Sequence, residues 1–147
     1  MDNKIISVIN QKGGVGKTTT VINLAAGLSM KGKKILVIDL DPQGNATTGL
    51  GLSNIESSEQ TIYSVLNGNK KISEVVQSTK FENLDLITSN VDLSGLEVET
   101  AGDSRRAFML KDELTAYLND SRASYDYVLI DCPPSLSLLT IMALVSS

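Results

Sequence analysis

Residues 9–20 read INQKGGVGKTTT, and their spacing is that of a loop able to hold phosphate. Gly13, Gly14 and Gly16, with Val15 between them, let the main chain turn tightly and aim its N–H groups at phosphate oxygens. A helix starting behind the loop adds the positive end of its dipole. Lys17 follows where it would reach the β- and γ-phosphates, Thr18 offers a hydroxyl in the position that ligates Mg²⁺, and Thr19 stands one residue deeper, within reach of the α-phosphate. The pattern GxxxxGK[ST] is met except at its first glycine, where this chain has Gln11, with a second lysine, Lys12, beside it.

Such a loop needs an acid at a strand end to order a magnesium shell. YVLIDCPP (127–134) supplies one: an apolar run leads into Asp131, and Pro133-Pro134 ends the strand, which makes Asp131 the Walker B candidate. DLDPQGNATTGLG (39–51) carries two more carboxylates, Asp39 and Asp41. In an open parallel sheet the ligand lies at the carboxyl ends of the strands, so this segment should approach the γ-phosphate from the side opposite Asp131. Asp41, at the loop's start with Pro42 fixing the turn, is assigned to the attacking water, and Asp39 to the magnesium side through water.

The elements that must position these groups follow from the apolar pattern. Short apolar runs at 4–10, 34–41, 84–89 and 125–132 have the near-continuous character of strands covered on both faces. Val21, Leu24, Ala25 and Leu28 recur at helical spacing between the first two, and Gly32 is the expected stop. Helical patterns recur at 61–68, 72–77 and 104–120, the last with Ala107, Leu110, Leu114 and Leu118 on one face, while 49–60 reads as a polar loop. Strands alternating with helices predict an α/β fold, a mostly parallel sheet flanked by helices. Residues 133–147 start a helix whose Leu138, Leu139, Ile141, Met142, Leu144 and Val145 have no later strand to pack on, so a single domain spanning 1–147 with its C-terminal strands missing is expected.

Composition narrows the function classes. The 147 residues are 41% hydrophobic, ample for a core, and carry a net charge of −4, which leaves no global electrostatic footprint for nucleic acid. There is no histidine and one cysteine, Cys132, which excludes an internal disulfide and any cysteine-rich metal site and reads as a packing residue. No apolar run is long enough for a membrane span or signal peptide, so the default is a cytoplasmic protein. Arg105, Arg106, Lys70 and Lys71 read as solvated faces, and Tyr63, Tyr117, Tyr125 and Tyr127 as core or rim.

Together KGGVGKTTT, DLDPQGNATTGLGL, SNVDLSGLEVE and YDYVLIDCPPSLSLLT resemble the ParA family of plasmid and chromosome partition ATPases, in the deviant Walker A class of P-loop proteins, over essentially the whole chain. The resemblance implies a P-loop NTPase fold, ATP and Mg²⁺ as cofactors, and Lys12 as the signature lysine that reaches across an ATP-sandwiched dimer to the partner's nucleotide. It further implies that Asp41 assists hydrolysis, that Asp131 is the Walker B acid, that the dimer binds DNA without sequence preference, and that a ParB-like partner stimulates turnover. Relatives are typically longer, so adenine contacts and the DNA-binding surface are expected outside these residues. Ser137 and Met142 stand where relatives commonly have glycine and asparagine. A MinD-like membrane-associated regulator of division-site placement shares the loop, but the stretch after the second strand favours partition proteins; a nucleotide-gated scaffold without turnover is the non-enzymatic alternative. A nitrogenase iron protein would need paired cluster cysteines, which are absent.

Overall fold

The computed structural model of the chain describes residues 4–9, 17–52, 58–120 and 124–147, with the side chains of Lys17 and Ser58 outside that description. The run ILVID is buried at every position. It forms strand β2 (Ile35–Asp39), flanked on both sides by parallel neighbours, β4 (Leu84–Ile87) and β5 (Tyr127–Asp131). β1 (Lys4–Val8) pairs in parallel with β5, and β3 (Gln77–Ser78) adds a short antiparallel strand to β4, giving the order β1-β5-β2-β4-β3.

Because side chains alternate along a strand, each central strand feeds two cores. Leu36, Ile38, Val128 and Ile130 point to one face, where they pack with α3 (Ile62–Leu66), α4 (Ile72–Val75), α5 (Leu96–Glu99), α6 (Met109–Leu118) and α7 (Leu138–Ser146). Ile35, Val37, Leu129, Leu84 and Leu86 point to the other, against Val21 and Ala25 of α1 (Lys17–Met30) and Leu50 behind α2 (Asn45–Gly49). A sheet covered on both faces explains why its inner strands carry almost no polar residue until their carboxyl ends.

Local chemistry sets the helix ends. Gly32 adopts φ 82°, and the N–H of Lys33 reaches back to the carbonyl of Leu28 at 3.1 Å, so α1 stops where the sequence predicts. At the start of α3 the Thr61 hydroxyl accepts from the Tyr63 N–H at 3.2 Å.

Several expectations need correction. The α1 stripe is Val21, Ile22, Ala25 and Leu28, while Leu24 lies about 90° from its centre at 3.6 residues per turn and is 40% exposed. The stretch after β2 is not only turn: Asn45–Gly49 is helical. Gln77, placed in a helix by its apolar neighbours, begins β3, because its main chain finds a partner in Leu86. The helix expected over 104–120 starts only at Met109, after a 3-10 turn over Arg106–Phe108. In α7, Leu138, Leu139 and Met142 are buried on the larger core rather than left without a surface, whereas Ile141 and Leu144 stay 49% and 55% exposed. Other readings match: Cys132 is buried, Arg105 pairs with Asp112 at the surface, and Tyr125 is buried with its hydroxyl donating to Asp85 at 2.7 Å.

Leu36, in the most enclosed strand, should be costly to truncate. Leu36→Ala is expected to lower the unfolding free energy by about 2–5 kcal/mol, and Met30→Ala, at an exposed helix end, by less than about 0.5 kcal/mol. Urea denaturation of the two variants checks the ranking.

Candidate nucleotide site

The register of the sheet assembles the site. Val8, Asp131 and Asp39 are aligned across β1, β5 and β2, so two carboxylates end adjacent parallel strands side by side. The first residue beyond each strand continues the ladder, with Cys132 N–H on the Val8 carbonyl at 3.2 Å and Leu40 N–H on the Asp131 carbonyl at 2.8 Å. Asp39 shares its strand face with Ile35 and Val37, and Asp131 shares its face with Leu129, so both turn toward α1. There the Thr18 hydroxyl, in the first turn of that helix, donates to Asp131 Oδ2 at 3.1 Å.

Asp39 is fully buried and engaged by three protein donors: the Asp41 N–H reaches its Oδ1 at 3.1 Å, while the N–H and hydroxyl of Thr47 reach its Oδ2 at 2.9 and 2.7 Å. Burial, with a smaller contribution from the charge of Asp131, pushes its pKa up to about 7 against the opposing hydrogen bonds from Thr47 and Asp41. Asp41 is also buried; its Oδ1 accepts from the Gln43 N–H at 3.0 Å, closing an Asx turn at Pro42. Among the described residues no group of three histidine, cysteine or acidic side chains could hold a metal ion alone. The Asp131 carboxylate and the Thr18 hydroxyl, with Asp39 reached through water, fit a Mg²⁺ whose other ligands would be phosphate oxygens and water, the usual arrangement for this ion.

Known proteins share this fold. A family described as "AAA domain" matches residues 3–147. The chain belongs to that family. It is 47% identical over 144 residues to the sporulation initiation inhibitor protein Soj of Bacillus subtilis, covering 98% of this chain and 55% of the relative. It is 44% identical to the chromosome partitioning protein ParA of Caulobacter vibrioides, covering 98% and 53%. A crystal structure of cobyrinic acid a,c-diamide synthase from Mycobacterium smegmatis, with bound ATP analog and magnesium, superposes with a TM-score of 0.90 at 37% identity, covering 99% of this chain and 56% of that one. The resemblance to the ParA family and the P-loop NTPase fold are thereby borne out. The chain spans about half the length of the curated relatives it matches.

Of the residues singled out in the sequence, Thr18, Asp39, Asp41 and Asp131 converge at one end of the sheet, and Thr19 is exposed on α1. Lys12, Gly13, Gly14, Val15 and Gly16 lie outside the described residues, as does the side chain of Lys17, whose main chain opens α1. Two residues that sequence reasoning passed over belong with the acids. Thr47 contacts Asp39 directly, and the Ser89 hydroxyl donates to the Asp41 carbonyl at 2.7 Å. Thr47 sits in the same motif as Asp41, eight residues after Asp39, so its nearness could be suspected; nothing local marks Ser89.

The raised Asp39 pKa makes a signed prediction. The ordinary unfolded value is about 3.9, so between roughly pH 4 and 7 the folded state holds a proton that the unfolded state has released. Stability from this group is therefore lost as pH rises across that window. In chelator, raising pH from about 5.5 to 7 should cost roughly 1.5 kcal/mol, and Asp39→Asn should abolish that loss. The chain has no histidine to titrate in this range, so unfolding free energies of the two proteins at each pH isolate the effect.

Proposed function

We propose that this chain carries the nucleotide site of a ParA-like partition ATPase, which binds ATP with Mg²⁺, hydrolyses it, and uses the cycle to segregate chromosomes or plasmids. The contact of Thr18 Oγ1 with Asp131 Oδ2 carries the reading, because it joins the helix after a glycine-rich loop to the acid that ends a buried parallel strand. Thr18 and Asp131 hold the cation, and Asp39 acts on the same side through water. A Mg²⁺ held by these residues would supply charge neutralisation for the phosphate oxygens.

Phosphoryl transfer needs charge compensation and an aligned water more than covalent chemistry. Lys17 and the amides of residues 13–16 provide the first within one subunit, and the Asp41 carboxylate orients the water. Lys12 completes the compensation on the neighbour's nucleotide, so turnover belongs to an ATP-sandwiched homodimer. The dimer binds DNA without sequence preference through parts of the protein other than these acidic 147 residues, and a ParB-like centromere-binding partner stimulates hydrolysis. The segregation role places it in the cytoplasm on the nucleoid; no helix among the described residues is long and apolar enough to cross a membrane.

Two measurements test the reading. Phosphate release from the complete polypeptide with ATP and Mg²⁺ should rise when DNA and the centromere-binding partner are added, and Asp131→Ala should reduce it about 100-fold or more. Lys12→Ala should leave monomer nucleotide affinity roughly intact and abolish ATP-dependent dimers; dimers persisting on size exclusion would remove the role given to Lys12. ATP binding without phosphate release under any of these conditions would favour the nucleotide-gated scaffold.

A further inference from the structure

We infer that the Thr47 hydroxyl is a positioning residue for hydrolysis, locking the Asp41 loop to the sheet through a closed hydrogen-bond circuit. The inference rests on the proposed role of Asp41 as the group that orients the attacking water. The circuit has four members from three separate stretches. Thr47 Oγ1 donates to Asp39 Oδ2 at 2.7 Å, and Asp39 Oδ1 accepts from Asp41 N–H at 3.1 Å. The Asp41 carbonyl accepts from Ser89 Oγ at 2.7 Å, and the Ser89 N–H donates back to Thr47 Oγ1 at 3.1 Å. All four residues are buried.

A threonine hydroxyl has one proton. Here the Ser89 amide, which can only donate, takes one of its lone pairs while the proton goes to Asp39, so the side chain cannot rotate about χ1 without breaking two bonds at once. The main chain of Asp41 is thus gripped on both sides, its N–H by Asp39 and its carbonyl by Ser89 Oγ and by the Gly44 N–H at 2.9 Å. Gly44, at φ 68°, is what lets the chain turn from Asp41 into α2 and bring Thr47 back over Asp39. A helix cap alone would not need this arrangement. The Thr47 N–H already reaches Asp39 Oδ2 at 2.9 Å, so the hydroxyl's distinct contribution is to couple Asp39 to the segment that follows β4. A carboxylate that aligns a water loses rate steeply when displaced, on the order of 100-fold for 1 Å. A loop held at both peptide groups keeps that displacement small.

Thr47→Val keeps the volume and β-branching and removes the hydroxyl; Thr47→Ser keeps the hydroxyl and removes a methyl group. In the complete polypeptide, with DNA and the centromere-binding partner present, Thr47→Val is expected to lower kcat for phosphate release by about 10–100-fold with the Kd for Mg-ATP changed by less than about 3-fold, and Thr47→Ser to restore kcat to within about 3-fold of the parent. Thr47→Ala, which cannot overpack, repeats the measurement if the valine variant does not fold. Parent-like turnover in Thr47→Val, a serine variant as slow as the valine one, or a fall in turnover matched by lost ATP affinity would each overturn the inference. Failure of the parent protein to bind or turn over ATP would instead overturn the proposed function, and the role of Thr47 with it.

Discussion

The structure turns on one juxtaposition: parallel register sets Asp39 and Asp131 side by side at the buried ends of two adjacent strands. Two carboxylates in that position repel one another and have lost their water, a combination that costs several kcal/mol unless donors or positive charge compensate. Everything around them serves that need. Thr18 supplies a hydroxyl to Asp131, Thr47 and the Asp41 amide supply three donors to Asp39, and α1 directs the positive end of its dipole at the same edge. None of these described groups carries a full positive charge. The compensation is sufficient to fold the site and insufficient to leave Asp39 an ordinary acid, as its raised pKa records.

Alternation along the strands keeps this arrangement away from the main source of stability. Leu36, Ile38, Val128 and Ile130 face a large core built with five helices, whereas Asp39 and Asp131 continue the row that faces α1. A rigid apolar layer thus lies directly beneath the polar edge, and the loops bearing Asp41 and Ser89 meet above it. The hydrogen bonds of that edge span large sequence separations, Thr18 to Asp131 and Asp41 to Ser89, so they form only when the sheet is in register.

Legibility in the sequence followed the same division. β2 and β5 are plain because burial on both faces demands unbroken apolar runs, and Asp131 is plain because it interrupts one. β3 has two residues, and its identity as a strand lies in its pairing with Leu86 and Asp85, which no local pattern carries. Pro42, Gly44 and Asn45 read as turn formers and hid α2, whose Thr47 is held by Asp39 rather than by helix propensity. The candidate acids were legible because each ends a strand or begins a turn. Ser89 was not, since its partner is a main-chain carbonyl 48 residues away.

Under the proposed function, the same electrostatics make cation and nucleotide arrive together. Two acids and one hydroxyl cannot close a coordination shell, so Mg²⁺ is held well only when phosphate oxygens complete it, and phosphate is held well only when its charge is matched. Positive charge at that edge favours the ionised form of Asp39, which then accepts more strongly from Thr47 and from the Asp41 amide. On that reading, a bound magnesium nucleotide would strengthen the hydrogen bonds by which Asp39 holds Thr47 and the main chain of Asp41.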